Sequence, residues 1–485
     1  MRCEQARFVP AWTFGLPQGY VHTGRTATML TRITNFLYKL LDSFWLLPTA
    51  MAASGVLFAY VFISLDTLIA DMGLGPLLFP LVAEGMEGAR ATLAAVSSSM
   101  VTVVSVTFSV TMVALTLATS QFGPRLLGTI LRDRKSQACL GAFLLTYLYN
   151  LLVLHSLDAF EPEKGPRIAV AMGLVLGVAS FFVLIYFIQH VALSIKADQV
   201  IALVYNDLRE NIQRLYPREF TLEELHQARK KPAKPASGGP WDAEPALPKN
   251  FVDQAYVVRS RTSGYVQALS IDWILNLAQT RNLVIQMLVR PGDFLMAGGR
   301  IALVWPYEKH YEALEDKLRG ALVLGSDRTL YQDLEFAILQ LVEVALRALS
   351  PGINDPHTAI VCVDRLGVAL AELARRNMGS PWRINEEGRV RVKLKTFTFE
   401  GAVDASFHKI RQAMGTSPTV GIRMLEVLGA VADVAPREEQ RAVLLEQGRM
   451  VLGELERVLH EENDIADARK RFDTLRRTAQ GFPPV

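Results

Sequence analysis

Two groups of residues in this 485-residue chain have the types and spacing to do chemistry. The first is a run of hydroxyl side chains. Ser98, Thr102, Ser105, Ser109, Met112, Thr116 and Thr119 recur at steps of four and three, which places them on one stripe of a helix. Between Val96 and Ser120 no residue is charged, and roughly 20 such residues suffice to cross a bilayer as a helix. A stripe of this kind does one of two things. It glues helix to helix by small-residue packing and hydrogen bonds, or several copies gathered around an axis line a wettable path, with Met112 as an apolar constriction. No acidic or basic ring sits mid-span, so such a path selects weakly on charge inside the membrane.

The second group is cytosol-like in composition. Arg328, Asp333, Glu335, Glu343 and Arg347 fall on one predicted helix, and Asn354, Asp355 and His357 follow in the loop after it. Converging on one point, they would form a site for a ligand or ion. Paired among themselves, they would cap helices around a tight loop. Phosphate loops, nucleophile elbows, zinc pairs and dinucleotide fingerprints are absent. The chain therefore reads as a non-enzyme, with no catalytic residue, no metal site and no cofactor. Cys3, Cys139 and Cys362 are scattered without metal spacing or a disulfide framework. His155 and His190, at span ends, read as interfacial or hydrogen-bonded side chains rather than as pH sensors.

The elements that must position these residues follow from composition. Half the residues are hydrophobic and mean hydropathy is +0.21, yet 20% are charged, so the average conceals two regions of opposite character. A net charge of +3 gives no reason to expect nucleic acid as a partner. Four apolar segments near spanning length stand at about 44–65, 95–120, 137–157 and 168–193. Arg25, Arg32 and Lys39 precede the first; Arg125, Arg132, Arg134 and Lys135 separate the second and third; Lys196 follows the fourth. The opposite loops carry Asp66, Asp71, Glu84, Glu87, Asp158, Glu161 and Glu163, with few basic residues. An excess of Lys and Arg marks cytoplasmic loops, so both termini are expected inside. The connection containing GLGPLLFPLV is too short and too broken by proline to span; it reads as an outer-surface or re-entrant segment, or as an ordinary loop packed on the bundle.

Periodicity after span four (Ile195, Val200, Leu203, Leu208, Ile212, Leu215) predicts one continuous rod of roughly 45–50 residues ending at Pro217. The expected organisation is an irregular extension over 1–28, a four-helix transmembrane domain over 29–195, and a helical extension over 196–225. A Pro- and Lys-rich linker over 226–250, a small β domain over 251–308 and a mainly helical domain over 309–485 follow. Met29, followed directly by TRITNFLYKLLDSF, is an alternative start. In the β domain, GYV…VRPGDFLMAGGRIALV resembles half of a barrel-sandwich of the biotinyl or lipoyl type, without a lysine at a hairpin tip. The fold class is thus a membrane α-helical bundle with a cytoplasmic α+β region.

The motif ALRALSPGINDPHTA (345–359) closely resembles the DUF2254 family of predicted bacterial membrane proteins. SQFGPRLL, DRKSQACLGAFLLTYLYNLLVL, GYVQ, PGDF and DRTLYQDLEFA match in the same order, over about 29–460. The resemblance implies a multi-pass bacterial inner-membrane protein with a cytoplasmic C-terminal region, and it assigns no catalytic residue. The expected partners are the lipid bilayer, further copies of the same chain, and an ion or small solute moving through a homo-oligomeric channel gated by the cytoplasmic domain. The alternative is a non-conducting sensor or scaffold whose cytoplasmic domain binds a partner or ligand.

Overall fold

The computed structural model describes residues 44–71, 86–123, 133–159, 166–194, 196–221, 247–248, 250–306, 312–385 and 387–481. The readings of 1–28, of the start at Met29, of GLGPLLFPLV and of most of the 226–250 linker lie outside the described residues.

Four helices are long and apolar enough to cross a membrane: α1 (Leu46–Asp71), α2 (Met86–Phe122), α3 (Arg134–Ser156) and α4 (Arg167–Ser194). Leu57, Tyr60, Val113, Val175, Phe181 and Phe182 all point away from the bundle. So wide an apolar exterior is prohibitive in water and ordinary in lipid. Inside, small residues let the backbones approach, as helices in lipid require. A Cβ on Gly55 of α1 would lie 2.7 Å from the Leu145 carbonyl oxygen of α3, and one on Gly141 would lie 2.6 Å from Met51 Sδ.

The single rod expected after span four is not formed. Helix α4 ends at Ser194, Lys196 is extended (φ −65°, ψ 135°), and a separate helix α5 runs over Ala197–Leu215. The hydrophobic period continues across the break, which is why sequence pattern hides it. Burial redirects the chain: Val200, Ile201, Val204, Leu208 and Ile212 sink into the C-terminal core.

That core gathers α5 with α8 (Leu334–Ala348), α9 (Pro356–Ala374), α10 (Phe399–Ala413), α11 (Pro418–Val434) and α12 (Glu438–Val458). A last helix, α13 (Glu462–Ala479), lies against α11 and α12. Ala118 and Phe122 of α2 belong to the same core, so the second span is packed into the C-terminal region. Helix α8 begins at Leu334, where the Asp333 carboxylate accepts from the Phe336 N–H (3.0 Å).

The β part is wider than 251–308. Strands β1 (Tyr256–Arg259), β5 (Arg300–Trp305), β3 (Val284–Met287), β8 (Val390–Lys393) and β7 (Trp382–Ile384) form one sheet in that order. A second sheet runs β4 (Phe294–Leu295), β2 (Gly264–Leu269), β6 (Leu322–Gly325). Helices α6 (Ile271–Thr280) and α7 (Glu312–Gly320) connect strands. Three of these strands, β6, β7 and β8, come from beyond residue 308, and β8 pairs parallel with β3 (Ile285 with Val392). The unit is two sheets stitched by late chain segments rather than a barrel-sandwich complete within 251–308.

Candidate functional site

The hydroxyl stripe is positioned by the packing of α2. Its inner face carries Ala89, Leu93, Ser97, Met100, Thr107 and Ala118, all buried. At 3.6 residues per turn the stripe lies about 145° from that face. Ser98, Thr102, Ser105, Ser109, Met112 and Thr116 are accordingly exposed on the outside of the protomer, and Thr119 is partly covered. The stripe is therefore not sealed inside the protomer's own bundle. Its hydroxyls are locally satisfied. Ser105 donates to the Val101 carbonyl (2.9 Å), Ser109 to Ser105 (2.9 Å), Thr116 to Met112 (2.9 Å) and Thr119 to Leu115 (2.7 Å). Val101 and Phe108 flank it on one side, Val106 and Val113 on the other, all exposed.

The cluster around α8 does not converge. Its members divide between the two ends of that 15-residue helix, a separation of roughly 20 Å. At the N-terminal end, Arg328 grips Asp333 with two hydrogen bonds (2.7 and 2.9 Å), and Glu335 pairs with Arg290 (2.7 Å). Gly292 (φ 94°) brings the PGDF turn against them; a Cβ there would lie 2.4 Å from Asp333 Oδ2. These contacts brace the β sheets against α8. At the C-terminal end, Asp355 caps α9 by accepting from the Thr358 N–H (3.1 Å) and hydroxyl (2.6 Å). The Thr358 hydroxyl holds the Asp355 carboxyl below its ordinary value. Asn354 turns the loop at φ 47°, and His357 is exposed. Among the described residues no group of three His, Cys, Asp or Glu could hold a metal ion.

Arg347 does something the spacing did not reveal. It donates to the Ser120 carbonyl (3.0 Å) at the end of α2. Beside it, Gly123 adopts φ 107°, and a Cβ there would meet Glu343 Oε1 at 2.7 Å and Arg347 Nε at 3.0 Å. The second span is thus clasped by α8 directly below the stripe, where only glycine fits.

Two further polar groups at the ends of the spans were missed as partners. Asp66, read as a marker of a charged loop, is buried and accepts from the Ile168 (3.0 Å) and Ala169 (2.7 Å) N–H groups, capping α4 from another helix. Below it Tyr149 donates to the Ala169 carbonyl (2.9 Å), and Thr146 bonds Ser180 (2.9 Å). Asp133 caps α3 and lies 2.6 Å from His190 Nε2. An Asp followed by Ser three positions later was the available signal for this cap.

Four apolar helices joined to a large α+β region through α2 and α5 define a multi-span membrane protein with an extensive extramembrane part. The chain belongs to the DUF2254 family of predicted membrane proteins, whose sequence profile matches residues 41–430. It is similar to the uncharacterized protein Rv1290c of Mycobacterium tuberculosis and the uncharacterized protein Mb1321c of Mycobacterium bovis. Each is 31% identical over 463 residues, covering 93% of this chain and 83% of theirs. No solved structure matches the chain significantly.

Proposed function

We propose that several copies of this chain assemble in the bacterial inner membrane with their α2 stripes facing a common axis, and that ions or small solutes pass along it. The observation that carries the reading is the placement of the stripe: six hydroxyl side chains and Met112, at near-regular positions, lie on the side of α2 turned away from its own bundle. A lone protomer would present them to lipid, whereas a ring of protomers would use them as the wall of a wettable path. Met112 is the apolar constriction in that path. The basic residues around the first, third and fourth spans orient both termini toward the cytoplasm, so the C-terminal region hangs below the axis and gates it through the α8 clasp at Gly123. No catalytic step is assigned.

A second reading draws on the same hydroxyls. Because each bonds a carbonyl of its own helix, the stripe is compatible with lipid or with plain helix packing. The protein would then be a non-conducting anchored sensor or scaffold. Purified protein in planar bilayers separates the two. Conduction predicts unitary currents that change in Ser105→Leu and Ser109→Leu; bilayers that stay silent under varied voltage and tension leave only the anchored sensor.

A further inference from the structure

A cavity of about 470 Å³ opens where the spans meet the C-terminal region. Its size falls within the roughly 300–1,000 Å³ of small-molecule sites. It lies behind the stripe, on the opposite flank of α2. We infer that this cavity is a binding site for a phospholipid of the adjoining leaflet, one acyl chain inserted and the phosphate held at a polar mouth.

The depth and the opening argue for a lipid. Leu115 and Ala118 of α2 form the inner wall, and Ala118 already touches the C-terminal core, so the cavity sits at the edge of the apolar layer. Leu193 of α4 and Leu203 of α5 stand at its rim and are 42% and 37% exposed, which opens the cavity sideways toward neighbouring acyl chains. The break at Lys196 creates this opening, since a straight rod would hold α5 in line with α4.

The mouth argues for a phosphate. Lys135 and Gln199 line it and supply an ammonium and an amide, beside Ser136 and Ser194, whose hydroxyls donate to Asp133 and to the His190 carbonyl. Among the described residues neither Lys135 nor Lys196 has an ion-pair partner. Helix α5 starts at Lys196 with no side-chain cap, so its positive end also faces this level. Two acids are close: Asp133, which itself lines the cavity, and Asp198. The Asp133 carboxylate is already met by Ser136, by His190 and by the first N–H groups of α3, and Asp198 is exposed in the first turn of α5 outside the lining. Basic mouths on apolar clefts between spans are the usual form of a lipid headgroup site. This assignment needs only insertion in a membrane and stands whether or not α2 lines a conduit.

The test uses the full chain in mild detergent, delipidated, offered phosphatidylglycerol, phosphatidylcholine or palmitate, and weighed intact by native mass spectrometry. The expected result is one phospholipid retained per protomer. Filling the cavity in Leu115→Trp or Leu203→Trp should lower retention by at least about tenfold, and Lys135→Gln should weaken phosphatidylglycerol more than palmitate. Val175→Trp, on the lipid-facing side of α4, should leave retention unchanged. Melting temperatures report whether the variants fold, and Lys135→Gln, at an exposed position, tests the mouth without touching the packing. Retention that is equal in wild type, Leu203→Trp and Lys135→Gln overturns the assignment, as does retention of palmitate alone.

Discussion

The span bundle and the C-terminal core are built on opposite rules. In the spans, Leu57, Phe181 and Phe182 face out while Asp66, Tyr149, Thr146 and Ser180 bond one another's helices within. In the core, Leu366, Phe407 and Leu444 are fully buried while Arg449 and Glu446 pair on the surface. The difference is one of solvent. Water drives apolar side chains together, whereas lipid is indifferent to them, so cohesion inside a membrane rests on close backbones and hydrogen bonds. One chain uses both rules, and α2 crosses from one to the other between the stripe and Phe122.

Three substitutions sharpen that contrast, read as melting of the full chain in detergent. The largest effect is expected for Phe407→Ala, which empties a fully buried site in the core and should cost about 3–5 kcal/mol. A cost below 1 kcal/mol would mean that water exclusion does not hold this region together. Asp66→Ala removes the acceptor for two N–H groups at the start of α4 and should cost about 1–2 kcal/mol; no change in melting would remove hydrogen bonding as the cohesive element of the bundle. Arg449→Ala breaks an exposed pair within α12 and should change stability by less than about 0.5 kcal/mol. An effect exceeding that of Asp66→Ala would invert the comparison.

The sequence was legible where one physical signal dominates. Unbroken hydropathy located the four helices of the bundle. It was illegible where distant partners decide. Nothing local marks Lys196 as extended, because the residues around it continue the helical period and only burial of Val200 and Ile212 bends the chain away. Strand β8 finds its place only beside β3, far earlier in the chain, with β7 paired on its other edge. Helix α13 went unread because its buried contacts are few and small: Ala468, Leu475 and Thr478 in a strongly charged segment. At the candidate site, the stripe's spacing was plain from the residues, but which side of α2 faces the bundle was set by α3 and α4. The α8 cluster misled because sequence proximity does not shorten a helix.

The parallel pairing of β3 with β8 bears on how the molecule is made. Ile285 leaves the ribosome more than a hundred residues before Val392, so the five-stranded sheet has no finished edge until all of α9 and then β7 and β8 have been synthesised. A growing chain must hold β3 open through that interval, with its apolar neighbours unshielded. Nascent chains halted before Lys393 are therefore expected to need a chaperone at this strand, while the bundle upstream is already in the bilayer.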